Sequence, residues 1–139
     1  MTSLDTNILV TLWNPNAQAS QSVVAALQRT SSAGPLCICG PVYSELMGQP
    51  GRDSAGLKKL LESMGISLEC AFGEADWESA GLAYQDYVRR RRKSGDGLPR
   101  RMLTDFLIGA HASVRGYTLL TLDKRTYAVA FPTLHIESF

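Results

Sequence analysis

Long apolar runs are missing from this chain. None approaches the roughly 20 residues that a membrane-spanning helix needs, which excludes one here. The N-terminus has neither the basic start nor the apolar core of a secretory leader, so the protein is expected to work in the cytoplasm. Charge of one sign is missing too: 14 Lys and Arg face 13 Asp and Glu, a formal net charge of +1. Total charge therefore names no partner. Cysteine and histidine are scarce, at three and two. No Cys-x-x-Cys and no nearby His pair offers the spacing of a zinc site. Cys37 and Cys39, two apart on one predicted strand face, are expected to be buried reduced thiols. No arrangement of Ser, Cys and His suggests a nucleophilic triad.

What remains is an ordinary globular composition, 45% hydrophobic and 19% charged over 139 residues. It favours a single domain over 1–139. Strands and helices alternate along it. Met1 to Leu4 reads as a short strand whose Thr2 and Ser3 predict fraying or exposure on one side. Ile8 to Trp13 predicts a short helix, ended by Asn14-Pro15-Asn16. A second helix is predicted from about Ala17 to Arg29, with Ser20, Val23, Val24 and Leu27 on one buried face. Leu36 to Cys39 is a strand of the fully buried kind. Pro41 suits the first turn of the short helix after it, which carries Glu45. Ser54 to Met64 predicts another helix, and Ile66 to Cys70 alternates as a strand with one wet face.

Glu74 to about Arg92 predicts the longest helix, with Trp77, Ala80, Gly81, Tyr84, Tyr87 and Val88 on its core side. Ser94 to Pro99 reads as a loop. Thr104 is placed as the N-cap of a helix reaching about Arg115, apolar nearly all round and therefore central. Tyr117 to Leu122 is a strand ending at Asp123, and Leu134 to Ile136 a last short one. This alternation predicts a mostly parallel sheet between two helical layers, a three-layer α/β/α sandwich.

Four carboxylates share a topological property on that scheme. Asp5 follows the first strand, Glu45 sits on the helix after the second, Asp105 opens the central helix, and Asp123 closes the later strand. In a parallel sheet with right-handed crossovers, strand ends and the helix starts that follow them lie along one edge, where ligands bind. Carboxylates gathered there must share a proton or take a cation. Oxygen donors of this kind suit Mg²⁺ or Mn²⁺, which can activate water for attack on a phosphodiester. Each residue also has a plainer role open to it, as a turn former, a helix-start charge or a solvated side chain.

The stretches Leu4-Asp5-Thr6-Asn7-Ile8-Leu9, Tyr43-Ser44-Glu45-Leu46, Thr104-Asp105-Phe106-Leu107-Ile108-Gly109-Ala110-His111-Ala112 and Leu119-Leu120-Thr121-Leu122-Asp123-Lys124-Arg125 resemble, in order and spacing, the PIN-domain ribonucleases. More narrowly they resemble the VapC-type toxins of toxin–antitoxin pairs. The resemblance implies a Mg²⁺- or Mn²⁺-dependent endoribonuclease, commonly dimeric and neutralised by an antitoxin. It implies that Asp5, Glu45, Asp105 and Asp123 are the acidic ligands and catalytic groups. Thr6, Asn7 and Thr121 match its supporting polar positions.

Half of the 14 Lys and Arg residues fall between Arg89 and Arg101. Arg89, Arg90, Arg92 and Arg100 stand as contacts for an RNA backbone or for an antitoxin, beside the alternative of a solvated helix end complementing its dipole. His111 is expected as a packed core side chain. Two rival functions remain open: an aspartate-nucleophile phosphatase, which wants an Asp where Asn7 stands, and a scaffold that binds RNA or antitoxin without turnover.

Overall fold

A computed structural model of the chain describes residues 1–14, 17–95 and 103–139. The predicted turn at Pro15–Asn16, most of the predicted loop through Pro99, and Arg100 lie outside the described residues. The elements are β1 (Thr2–Leu4), α1 (Thr6–Leu12), α2 (Ala17–Ala33), β2 (Leu36–Cys39), α3 (Gly40–Met47), α4 (Ser54–Ser63), β3 (Ile66–Glu69), α5 (Glu74–Ser94), α6 (Leu103–Val114), β4 (Thr118–Leu120), α7 (Lys124–Ala130) and β5 (Ile136–Glu137). The strands form one sheet in the order β3-β2-β1-β4-β5, and each neighbouring pair runs parallel. Helices cover both faces, which is the predicted three-layer α/β sandwich.

The strand order decides where a site can form. From β1 the chain passes to β2 on one side and later returns to β4 on the other. The order therefore reverses beside β1, and such a switch point opens a crevice at the carboxyl ends of the strands. Asp5 is the residue that follows β1, and its backbone N–H donates to Leu120 O at 3.0 Å across to β4.

The opening strand corrects one expectation. β1 is central and fully buried, not frayed. Pairing on both sides satisfies its backbone, and the small side chains of Thr2 and Ser3 fit under the covering layers. α2 also runs past Arg29 to Ala33. Thr30 and Ser32 donate back to Ala26 O at 2.6 Å and Gln28 O at 2.8 Å, so their hydroxyls bond within the helix rather than break it.

α5 and α6 pack along one another. Tyr84 and Tyr87 of α5 meet Phe106 of α6 at ring distances of 5.3 and 5.5 Å. Trp77 does not join them: it is 55% exposed, because the buried stripe of α5 runs through Asp76, Ala80 and Ala83. Thr104 is not an N-cap, since α6 already begins at Leu103. Midway along α6, Gly109 lies so close to the buried Phe131 ring that a Cβ would meet it at 2.2 Å. Glycine there lets α6 settle against the chain beyond α7, and so fixes the depth of Asp105 at the helix start.

β4 stops at Leu120, two residues before the predicted end, and α7 follows. Asp123 caps α7, its carboxylate accepting from Thr126 N at 3.3 Å and Thr126 Oγ1 at 3.0 Å. Among the described residues no helix is long and apolar enough to cross a membrane.

Candidate active site

Asp5, Thr6, Asn7, Glu45, Asp105, Asp123 and Tyr127, with Val10 and the Gly48–Gln49 backbone turn, line one cavity of about 450 Å³. Topology brings them there. Asp5 follows β1, α3 starts directly after β2, and Asp123 lies beyond the end of β4. α6 runs down into β4, so its start lies at the same sheet edge, with Asp105 in the first turn, where the helix dipole favours an anion.

Asp5 is 5% exposed. Asn7 Nδ2 and Thr121 Oγ1 both donate to its Oδ2 at 2.6 Å. Asn7 Nδ2 also reaches Thr121 Oγ1 at 3.2 Å, while Asn7 Oδ1 accepts from Leu122 N at 3.1 Å. Asp123 N donates to Thr121 Oγ1 at 3.0 Å. These bonds tie the segment after β1 to the segment after β4, and they fix the orientation of the Asp5 carboxyl. Thr6 turns the other way and its hydroxyl donates to Glu45 Oε2, joining α1 to α3.

Burial pushes the Asp5 carboxyl from 3.8 up to about 6. The Thr121 hydroxyl opposes that rise, the Asp105 charge adds to it, the Thr6 backbone N–H opposes it, and the Glu45 charge adds again. The cavity thus concentrates negative charge that its own walls do not compensate: no Lys or Arg is among the described residues lining it.

The donor set is all oxygen, the chemistry of a Mg²⁺ or Mn²⁺ site and not of a zinc site. In kind, and in lining one cavity, the residues suit such an ion. Among the described residues, no three Asp, Glu, His or Cys side chains are drawn together closely enough to close on one ion. The carboxylates are arranged around the cavity, with Asp5, Glu45 and Asp105 interacting through their charges, and Asp123 engaged as the cap of α7.

The other residues singled out from sequence lie elsewhere. Arg89, Arg90 and Arg92 are on the C-terminal part of α5, and none lines the acidic cavity. Arg89 and Arg92 border a separate cavity of about 570 Å³ with Tyr84, Gln85, Val88 and Lys93. Arg89 donates to Asp86 at 3.0 Å and Gln85 at 3.2 Å. Cys37 and Cys39 are free and buried, and Cys70 is free and exposed. Burial pushes the first two thiols up to about 11 and about 12, so both are neutral thiols. His111 is packed in the core, 3.3 Å from Glu69. Tyr127, Val10, Gly48 and Gln49 are cavity residues that the sequence did not single out. The pair Asp123 and Thr126, an N-cap pattern, was the available sign of α7 and hence of Tyr127 one turn on.

Residues 3–132 match the model of the PIN domain family. No curated protein matches the chain. Similar solved structures include three at 20% sequence identity, a level that speaks to the fold. VapBC2 from Rickettsia felis, bound to a fragment of its promoter DNA, gives a TM-score of 0.63 over 99% of this chain and 98% of that one. FitAcB from Neisseria gonorrhoeae gives 0.64 over 98% and 96%. A toxin–antitoxin complex from Klebsiella pneumoniae gives 0.56 over 92% and 91%.

Proposed function

Since this chain belongs to the PIN-domain family, we propose that it is a metal-dependent endoribonuclease, the toxin of a toxin–antitoxin pair. The observation that carries the reading is the cavity at the sheet's switch point, which Asp5, Glu45 and Asp105 line with no Lys or Arg among its described residues. A divalent cation such as Mg²⁺ or Mn²⁺, when bound, would neutralise these groups and supply water activation and charge screening for attack on an RNA phosphodiester.

The chain's own residues prepare that chemistry. Asn7 and Thr121 hold Asp5 by one oxygen, which fixes its direction before any ligand arrives and lowers the cost of ordering it. Thr6 does the same for Glu45. Asp105 takes its direction from the start of α6. With its carboxyl pushed up to about 6, Asp5 must release its proton fully to serve as a ligand, and an incoming cation favours that release. Asp123 acts mainly by holding α7 against the cavity, and in this reading it assists the ions without being the principal ligand.

The partner proposals follow the same lines. The similar structure from Klebsiella pneumoniae is a toxin–antitoxin complex, which supports an antitoxin partner here. A homodimer working in the cytoplasm is part of the proposal. The phosphatase alternative loses ground at Asn7. That side chain is an amide donating to Asp5 and Thr121, where the chemistry wants a carboxylic acid.

Mapping new RNA ends after induction of the protein tests the reading, with the Asp5→Asn variant alongside. Discrete new ends from the wild type alone are expected. Ends that also appear with Asp5→Asn would remove the cavity from the mechanism, and no new ends would favour a scaffold without turnover.

A further inference from the structure

One buried polar group at the acidic cavity has no hydrogen-bond partner among the described residues. Tyr127 is 2% exposed, and it heads the fully buried side chains by size. Its hydroxyl makes no hydrogen bond among the described residues. Buried hydroxyls nearly always find an acceptor, because leaving one unpaired forfeits its hydration for nothing. Yet this ring lines the same cavity as Asp5, Glu45, Asp105 and Asp123.

Its placement follows from α7. Asp123 caps that helix, and Tyr127 lies one turn further, on the same face. α7 packs against α5, α6 and β5, and the ring is almost wholly buried. Burial, with the Asp5 and Asp105 charges adding to it, keeps the phenol protonated. It is therefore a hydrogen-bond donor, not a base or a nucleophile. Asp5 is the acceptor within its reach, although the two stop short of a formed bond. Asp5 already accepts from Asn7 and Thr121 through Oδ2.

We propose that Tyr127 is a positioning residue of this site: its hydroxyl is a donor kept for the Asp5 carboxylate and engaged when the cavity takes a divalent cation. The inference rests on the reading of the cavity as a cation site. A hydroxyl donating to a carboxylate makes a charge-assisted bond, shorter and roughly twice as strong as a neutral one. Donors that orient a ligating carboxylate from behind commonly raise metal affinity by 10- to 100-fold.

Thermal melting of wild type and Tyr127→Phe, in EDTA and across a Mn²⁺ series, tests this. Phenylalanine keeps the ring and removes only the hydroxyl. In EDTA the variant is expected to melt at or above the wild-type temperature, since the lost group had no partner. Its Mn²⁺ affinity, read from the concentration dependence of the melting temperature, should be about tenfold weaker, or about 1.4 kcal/mol. A variant that melts lower in EDTA yet gains the same Mn²⁺ stabilisation would show ordinary packing and overturn the proposal. So would equal curves throughout. Wild type that gains nothing from Mn²⁺ would remove the cation-site reading itself, and this inference with it.

Discussion

Asp5 and Asp76 are buried alike, at 5% and 2% exposed, but their surroundings are opposite. Asp76 opens α5, its Oδ2 accepting from Gly73 N at 2.8 Å, and it is clasped by Arg115 just beyond α6, which reaches both its oxygens. Arg115 also donates to Ala71 O at 2.7 Å and His111 O at 3.2 Å, and lies 3.8 Å from Glu69. Burial alone would raise the Asp76 pKa, but the Arg115 bond, the Gly73 N–H and the Arg115 charge together hold it below the usual range. Asp5 has hydroxyl and amide donors but no cation, and its carboxyl sits at about 6. One helix serves both places: α6 carries Asp105 near its start and leads to Arg115 just past its end. At Asp76 the chain supplies the counter-charge itself. Around Asp5 no Lys or Arg is among the described residues lining the cavity.

The largest effect should come from removing Asp5. Asp5→Asn is expected to lower RNA cleavage by at least about a hundredfold while circular dichroism stays native. Breaking the other cluster should do the reverse. Arg115→Ala leaves Asp76 buried and unpaired, at a cost of roughly 3 kcal/mol and a melting temperature lower by about 10 °C. Cleavage per folded molecule should not change, and a loss of turnover in that variant would blur the distinction between the two sites.

The pH dependence of stability in EDTA sharpens the contrast. Asp5 has a folded-state value raised from 3.8 to about 6. Between those values the native state holds more protons than the unfolded chain, so stability should fall as pH rises through that window. The loss reaches about 3 kcal/mol at most. Asp76, held low, contributes stability that is present above its unfolded value and is lost as pH drops below it. Urea denaturation from pH 3 to pH 8 (roughly the span of both effects) should show the two limbs, and Asp5→Asn should flatten only the upper one. The smallest effect belongs to the α5 arginines. Replacing Arg90 and Arg92 with Ala should reduce the salt slope of RNA binding by about one to two units. An unchanged slope would leave these residues to solvent or to an antitoxin.

Much of this was legible in the chain because the acidic residues sit at element ends. Strand periodicity and turn residues locate those ends, and a parallel sheet then places Asp5, Glu45, Asp105 and Asp123 along one edge. What sequence could not give depends on long-range packing. Thr2 and Ser3 look like residues of an exposed strand until two parallel neighbours enclose them. Trp77 looks like core until the buried stripe of α5 is seen to run through Asp76. Asp76 and Arg115 form their pair across 39 positions, and no local pattern announces it. Tyr127 escapes a sequence reading because α7 is only seven residues long and its cap at Asp123 reads equally well as a strand end.

Calorimetric titration of Mn²⁺ into the purified protein at neutral pH, wild type beside Asp5→Asn, addresses the uncompensated cavity most directly. Saturable binding by the wild type, abolished in the variant, is the predicted result. Binding that survives Asp5→Asn, or none in the wild type, would contradict it.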